Sequence, residues 1–164
     1  MLIELLFYNY SLWHLEDKAR LKTAGDTVIA KVKRAIDKEN QLRNDTIENI
    51  DEYISGILFK KKIKPRKNAY RNTETVGAAI DRLCIISLKI YHMREETLRS
   101  DADASHILKC GERLKLLKLQ RSDLGAALDL LAAKIYAGEI VQQIYRQMKM
   151  YNDPTLNPEV YKQK

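Results

Sequence analysis

Two stretches of this chain place apolar residues at steps that alternate between three and four. The first reads Ile29, Val32, Ile36, Asn40, Arg43, Ile47, Ile50, Ile54 and Ile57. The second reads Ile107, Cys110, Leu114, Leu117, Arg121, Leu124, Leu128, Leu131 and Ile135. Each runs for about eight turns of α-helix. Such a seam lines one side of a helix and must be covered by another element. A chain of 164 residues with only six glycines and three prolines has few places to break such helices. The expected fold is therefore all-α.

Two further helices complete the reading. Leu5, Tyr8, Leu12, Leu15 and Ala19 make a stripe along a first helix from about Leu2 to Lys22. The second helix runs from about Thr27 to Phe59, with Asp26 as its N-cap. The third runs from about Val76 to Arg99 behind Thr73 or Thr75, and the fourth from about Ser105 to Ala137, with Gly138 as its C-terminal cap. Val141, Ile144, Tyr145 and Met148 permit a short fifth helix, or the end is an ordered tail. We expect one domain over residues 1–164, an antiparallel four-helix bundle of long helices.

Within the third helix, the run from Ile80 to Met93 is apolar nearly all round, yet it carries Asp81, Arg82, Lys89 and His92. Buried charges are costly unless paired or hydrogen-bonded. Asp81 and His92 lie eleven residues apart, so they share one face about 16 Å apart. Arg82 and Lys89 share another. Both long seams are broken near the middle, at Asn40 and Arg43 and again at Arg121. The expectation is a polar layer joining Arg43 and Arg121 to the Asp81 face, with His14, Asp17, Asn40 and Asn44 nearby. Such a layer fixes helix register as a set of ion pairs, or it grips an anionic small molecule through its planar arginines.

The net charge of +7 belongs to one segment. Lys60, Lys61, Lys62, Lys64, Arg66, Lys67 and Arg71 form a basic linker over about 60–72 with no acid among them. An acidic lipid, a nucleic acid or an acidic partner would suit it. Tyr70 is its only aromatic residue, which argues against base stacking and makes nucleic acid the weaker partner. A solvated loop is the simpler account.

Most chemistry is absent from the pattern. Asp103 and His106 make the nearest approach to a di-iron Glu-x-x-His pair and have no counterpart. Three histidines and two cysteines match no zinc spacing, so no metal and no cofactor are expected. No phosphate-cradling glycine loop and no nucleophile elbow occur. No apolar run approaches the roughly 20 residues that span a membrane. The N-terminal residues lack a basic region and a cleavage site, so we expect a cytoplasmic protein with Cys84 and Cys110 reduced.

The chain resembles a bacterial family known as domain of unknown function 4254. Four motifs carry the resemblance in order: Trp13-His14-Leu15-Glu16-Asp17; Asn40-Gln41-Leu42-Arg43-Asn44-Asp45; Thr73-Glu74-Thr75-Val76-Gly77, leading into Ile80-Asp81-Arg82-Leu83 and Lys89-Ile90-Tyr91-His92-Met93; and the closing Tyr145 to Pro154 with Leu156-Asn157-Pro158. Val76 stands where the family would have proline, and Cys84 where it would have serine. The resemblance brings no activity and no catalytic residue. It implies an association with cell-envelope polysaccharide synthesis, because members tend to be encoded near envelope glycosyltransferases. It also implies that the tail packs back across the bundle.

Three functions compete. The first is a non-catalytic interaction or assembly module, as a homodimer or with a partner protein. The second is an enzyme or binding protein for a phosphorylated or sugar-nucleotide ligand. The third is nucleic-acid binding through the basic linker.

Overall fold

The structure, a computed structural model, describes residues 1–150 and 153–162. Four long helices dominate it: α1 (Leu2–Ala19), α2 (Asp26–Lys60), α3 (Val76–Thr97) and α4 (Ala104–Tyr136). Two short strands, β1 (Tyr70–Arg71) and β2 (Ile140–Val141), and a last turn of helix, α5 (Pro158–Tyr161), complete the described elements. The chain is all-α, as the seams require.

The helix ends follow local chemistry. α1 stops at Ala19, short of the expected Lys22, because Arg20 and Leu21 donate to the carbonyls of Asp17 and Lys18 in a tight turn. Gly25, not Asp26, holds the N-cap of α2, and Asp26 is its first helical residue. The carboxylate of Asp26 still sits where a helix dipole favours it. Thr75 caps α3 as expected, its hydroxyl accepting from the Ala78 N–H at 3.0 Å. Gly138 ends α4 at a φ of +72°. A Cβ there would lie 2.7 Å from the Lys64 carbonyl oxygen, so position and conformation both call for glycine.

α1 and α2 pair as an antiparallel hairpin around Leu12, Val32 and Ile36, with Leu15 and Ala19 packed against them. α3 and α4 form a second antiparallel hairpin. The first hairpin lies against α3, and α4 packs chiefly along α3. At its C-terminal end α4 reaches the main apolar cluster, where Leu131 and Ile135 meet Val76 and Ile140, backed by Ile54 and Leu58 of α2.

The fifth helix expected over Val141 to Met148 does not form. Gly138 turns the chain, and Ile140 and Val141 pair in parallel with Tyr70 and Arg71. The basic segment is therefore not a free linker. The Arg66 N–H donates to the Gly138 carbonyl at 2.8 Å, and its guanidinium pairs with Glu139 at 3.1 Å. Past the ladder, the tail lies along α2. Gln142 reaches Asp51, and Arg146 bridges Glu48 at 2.9 Å and Glu52 at 2.5 Å. Of the closing motif, Tyr151 and Asn152 fall outside the described residues.

Candidate functional site

The buried polar centre lies where α1, α2 and α3 meet. Asn9 follows Leu5 by one turn on the inner side of α1 and is 5% exposed. Its amide donates to Asp81 Oδ1 at 2.7 Å and to the Leu5 carbonyl at 3.0 Å. Asp81, also buried, has the Arg43 Nε 3.8 Å away. That distance is an ion pair but too long for a hydrogen bond, and Arg43 Nε has no hydrogen-bond partner among the described residues. Asn44 is buried beside it on α2, and Asn40 is half-buried one turn earlier.

The other end of the Asp81 face carries aromatic contacts. Trp13 of α1 stacks on His92 with centroids 4.5 Å apart and planes 15° apart. His14 meets His92 edge-on at 6.0 Å and Tyr10 at 4.4 Å. His92 Nδ1 lies 2.8 Å from Glu95, while His14 Nδ1 is 4.0 Å from Asp17. The Nε2 atoms of both histidines are buried without a partner among the described residues. Asp81 and His92 thus share the side of α3 that faces α1, as their spacing predicts.

The shared arginine layer does not form. Arg121 donates from Nε to the Ser87 hydroxyl at 3.1 Å, on an exposed part of the α3–α4 contact. Ser87 lies six residues beyond Asp81, about a third of a turn round the helix. Arg43 and Arg121 therefore meet different sides of α3. Their partners on α3 also lie about 9 Å apart along its axis. Arg82 and Lys89 share a third side, as expected: Arg82 pairs with Glu74 at 3.0 Å, and Lys89 lines an open groove between α3 and α4.

A smaller cleft of about 330 Å³ opens onto the polar centre. Asn9, Trp13, Asp17 and Arg43 line it, with Glu16 and Arg20, which are paired to each other at 2.8 Å. Among the described residues no three metal-ligating side chains come together. Cys84 is half-buried on α3, and burial, reinforced by the nearby Asp81 carboxylate, pushes its thiol up from the ordinary range. That leaves it poor as a nucleophile. At the α3–α4 turn, Arg99 hydrogen-bonds Glu96 and Asp101 and holds both carboxyls below their usual values, His106 adding to the effect on Glu96. Cys110 Sγ and Glu96 Oε2 both approach the same nitrogen of His106, so these three do not form a nucleophile relay.

One polar residue, Asn9, escaped the sequence reading. Asn9 sits at the Leu5–Leu12 spacing of a core position, a signal present in the sequence. Asp51 is 2% exposed and accepts from the Gly77 N–H at 2.8 Å, closing the start of α3. Gly77 comes so close to α2 that a Cβ would stand 2.6 Å from the Ile47 carbonyl oxygen. In the basic segment, Lys60, Lys61, Lys62, Lys64 and Lys67 are exposed, and Lys61 lies over the Tyr136 ring at 5.7 Å. Arg71 stands in the ladder, and Arg66 is tied to Glu139.

Among the described residues no helix is long and apolar enough to cross a membrane. No curated protein and no solved structure matches the chain. A family model described as "Protein of unknown function (DUF4254)" matches residues 1–144.

Proposed function

The chain belongs to the DUF4254 family, and from the internal pairing of its polar centre we propose that it is a non-catalytic helical interaction and assembly module. The observation that carries this reading is the answering of Asp81 from within the chain, by Asn9 and Arg43. A carboxylate met by an amide and a guanidinium fixes the register of three helices. The apolar surface points the same way. Ile3, Leu6, Phe7 and Tyr10 of α1 and Leu108, Leu116, Leu119 and Leu130 of α4 are exposed. Ile3, Leu6, Phe7 and Tyr10 share one face of α1 by their spacing, and an exposed apolar face of this kind marks contact with another macromolecule. The place of the module in cell-envelope polysaccharide synthesis, and in the cytoplasm, is part of the proposal and rests on the family resemblance and on sequence character.

A second reading has its own support. Arg43, whose Nε has no hydrogen-bond partner among the described residues, borders the cleft beside Asn9, Trp13 and Asp17. A phosphorylated or sugar-nucleotide ligand would supply the missing acceptor.

Thermal unfolding of the wild type and of Arg43→Ala, each with sugar nucleotides and divalent cations, separates the two. The module reading expects no ligand-dependent change in either protein. Stabilisation of the wild type that disappears in Arg43→Ala sinks it in favour of ligand binding.

A further inference from the structure

The seam of α4 looks like core in sequence, yet the fold buries it only near its ends. Cys110, Leu131 and Ile135 are buried, whereas Leu114, Leu117, Leu124 and Leu128 are only half-covered. The reason is geometric. α4 has α3 on one side, and the α1–α2 hairpin occupies the far side of α3 instead of closing over both. A groove is left along the α3–α4 contact. It consists of two adjoining hollows of about 680 Å³ and 530 Å³ that share Lys89 and Leu117. Ile86, Leu124 and Leu128 line the first, and Met93 and Leu116 line the second.

The exposed surface shows the same deficit. The chain exposes 11888 Å², whereas a compact monomer of 19.0 kDa exposes roughly 8,400 Å². Long helices account for part of the difference of roughly 3,500 Å². Obligate two-fold interfaces remove about 1,000–2,500 Å² from each partner, so one such interface fits within the excess.

The helix beside the groove has what a second copy requires. Leu108, Leu119 and Leu130 are spaced by eleven residues, three full turns, and all are more than half exposed. Leu116 lies one turn from Leu119 and is 54% exposed. The exposed charges of α4 are unevenly placed. Lys109, Arg113, Lys115 and Lys118 outweigh Glu112 in its first half, whereas Asp123 and Asp129 outweigh Arg121 in its second. None of these eight forms an ion pair among the described residues. An antiparallel second copy sets each basic half against the half with a slight acidic excess, while a parallel one sets basic against basic.

We propose that two copies of the chain associate through α4, each laying its Leu116–Leu119 surface into the other's α3–α4 groove, so that the two hairpins close a four-helix bundle. This names the partner of the assembly module and rests on that reading.

Sedimentation equilibrium of the full chain, up to about 100 µM, tests it with three proteins. The wild type is expected at dimer mass. Leu116→Glu/Leu119→Glu is expected to weaken association at least tenfold with unchanged helical circular dichroism, since both side chains are already exposed. Phe7→Glu, on the outer face of α1, is expected to leave the dimer intact. A monomeric wild type overturns the proposal. So does a dimer that survives the α4 double variant, or one dissociated by Phe7→Glu instead. Ligand stabilisation lost in Arg43→Ala would defeat the parent reading without bearing on the mass, so the two failures are distinct.

Discussion

Asn9 and Asp81 are 72 residues apart in the chain and 2.7 Å apart in the fold. Their contact ties the first hairpin to the second at a buried point, with Arg43 behind it. Asp81→Ala strands a buried amide and a guanidinium together. The expected loss is about 2–4 kcal/mol, read as a lower urea midpoint with an unchanged slope. A loss below about 1 kcal/mol would show that the centre contributes little. Asp81→Asn keeps the shape and removes the charge, so it should fall between wild type and alanine.

Gly77 and Gly56 make a matched pair of tests. A methyl group at Gly77 meets the Ile47 carbonyl at 2.6 Å and the Asp51 carboxylate at 3.0 Å, whereas one at Gly56 meets nothing within 4 Å. Gly77→Ala is expected to cost about 1–3 kcal/mol through overpacking against backbone. Gly56→Ala, inside α2, is expected to stabilise by about 0.4–1 kcal/mol. Equal effects of the two substitutions on the melting temperature would refute the close approach of α3 to α2.

Beside the Gln142 contact with Asp51 and the Gln147 N–H on Glu48, one guanidinium holds the tail across two acids of α2. Arg146→Ala leaves Glu48 and Glu52 without that bridge. Amides around residues 142–147 should then exchange faster, with the protection of α2 and α3 unchanged. An unaltered exchange pattern would mean that the strap is held by Gln142 and β2 rather than by charge.

At the α3–α4 turn, Arg99 holds Glu96 and Asp101 below their ordinary values. For depressed carboxyls the stabilisation is fully present above the ordinary carboxylate range. It is lost as pH falls through the lowered values. Wild type should therefore melt above Arg99→Gln near neutrality, and the gap should close between about pH 5 and pH 2. A gap that persists in acid would assign the effect to packing of the Arg99 stem.

The helices were legible in the sequence because their signal is local. The 3.6-residue period, the Thr75 cap and the Gly138 stop each depend on a few neighbouring residues. So did the division of Asp81 with His92 from Arg82 with Lys89. What could not be read was how helices neighbour one another. Arg43 and Arg121 both interrupt a seam, yet only the fold reveals that α3 stands between them. The parallel pairing of Tyr70–Arg71 with Ile140–Val141 joins distant segments too short to carry a strand pattern. The fifth helix failed for the same reason, since Val141 was claimed by a partner far upstream. The part Asp51 plays was not visible because it depends on the N–H of Gly77, 26 residues on.

The two-residue ladder has a consequence for assembly of the fold itself. By joining position 70 to position 140, it clasps the α3–α4 hairpin at its base. The intervening chain, roughly 70 residues, is costly to close as a flexible loop but nearly free once the hairpin has brought its own ends together. The clasp can therefore fasten only after α3 and α4 have found each other. Protection of the Tyr70 amide, which donates to the Glu139 carbonyl at 3.2 Å, becomes a clock for completion of that half of the protein.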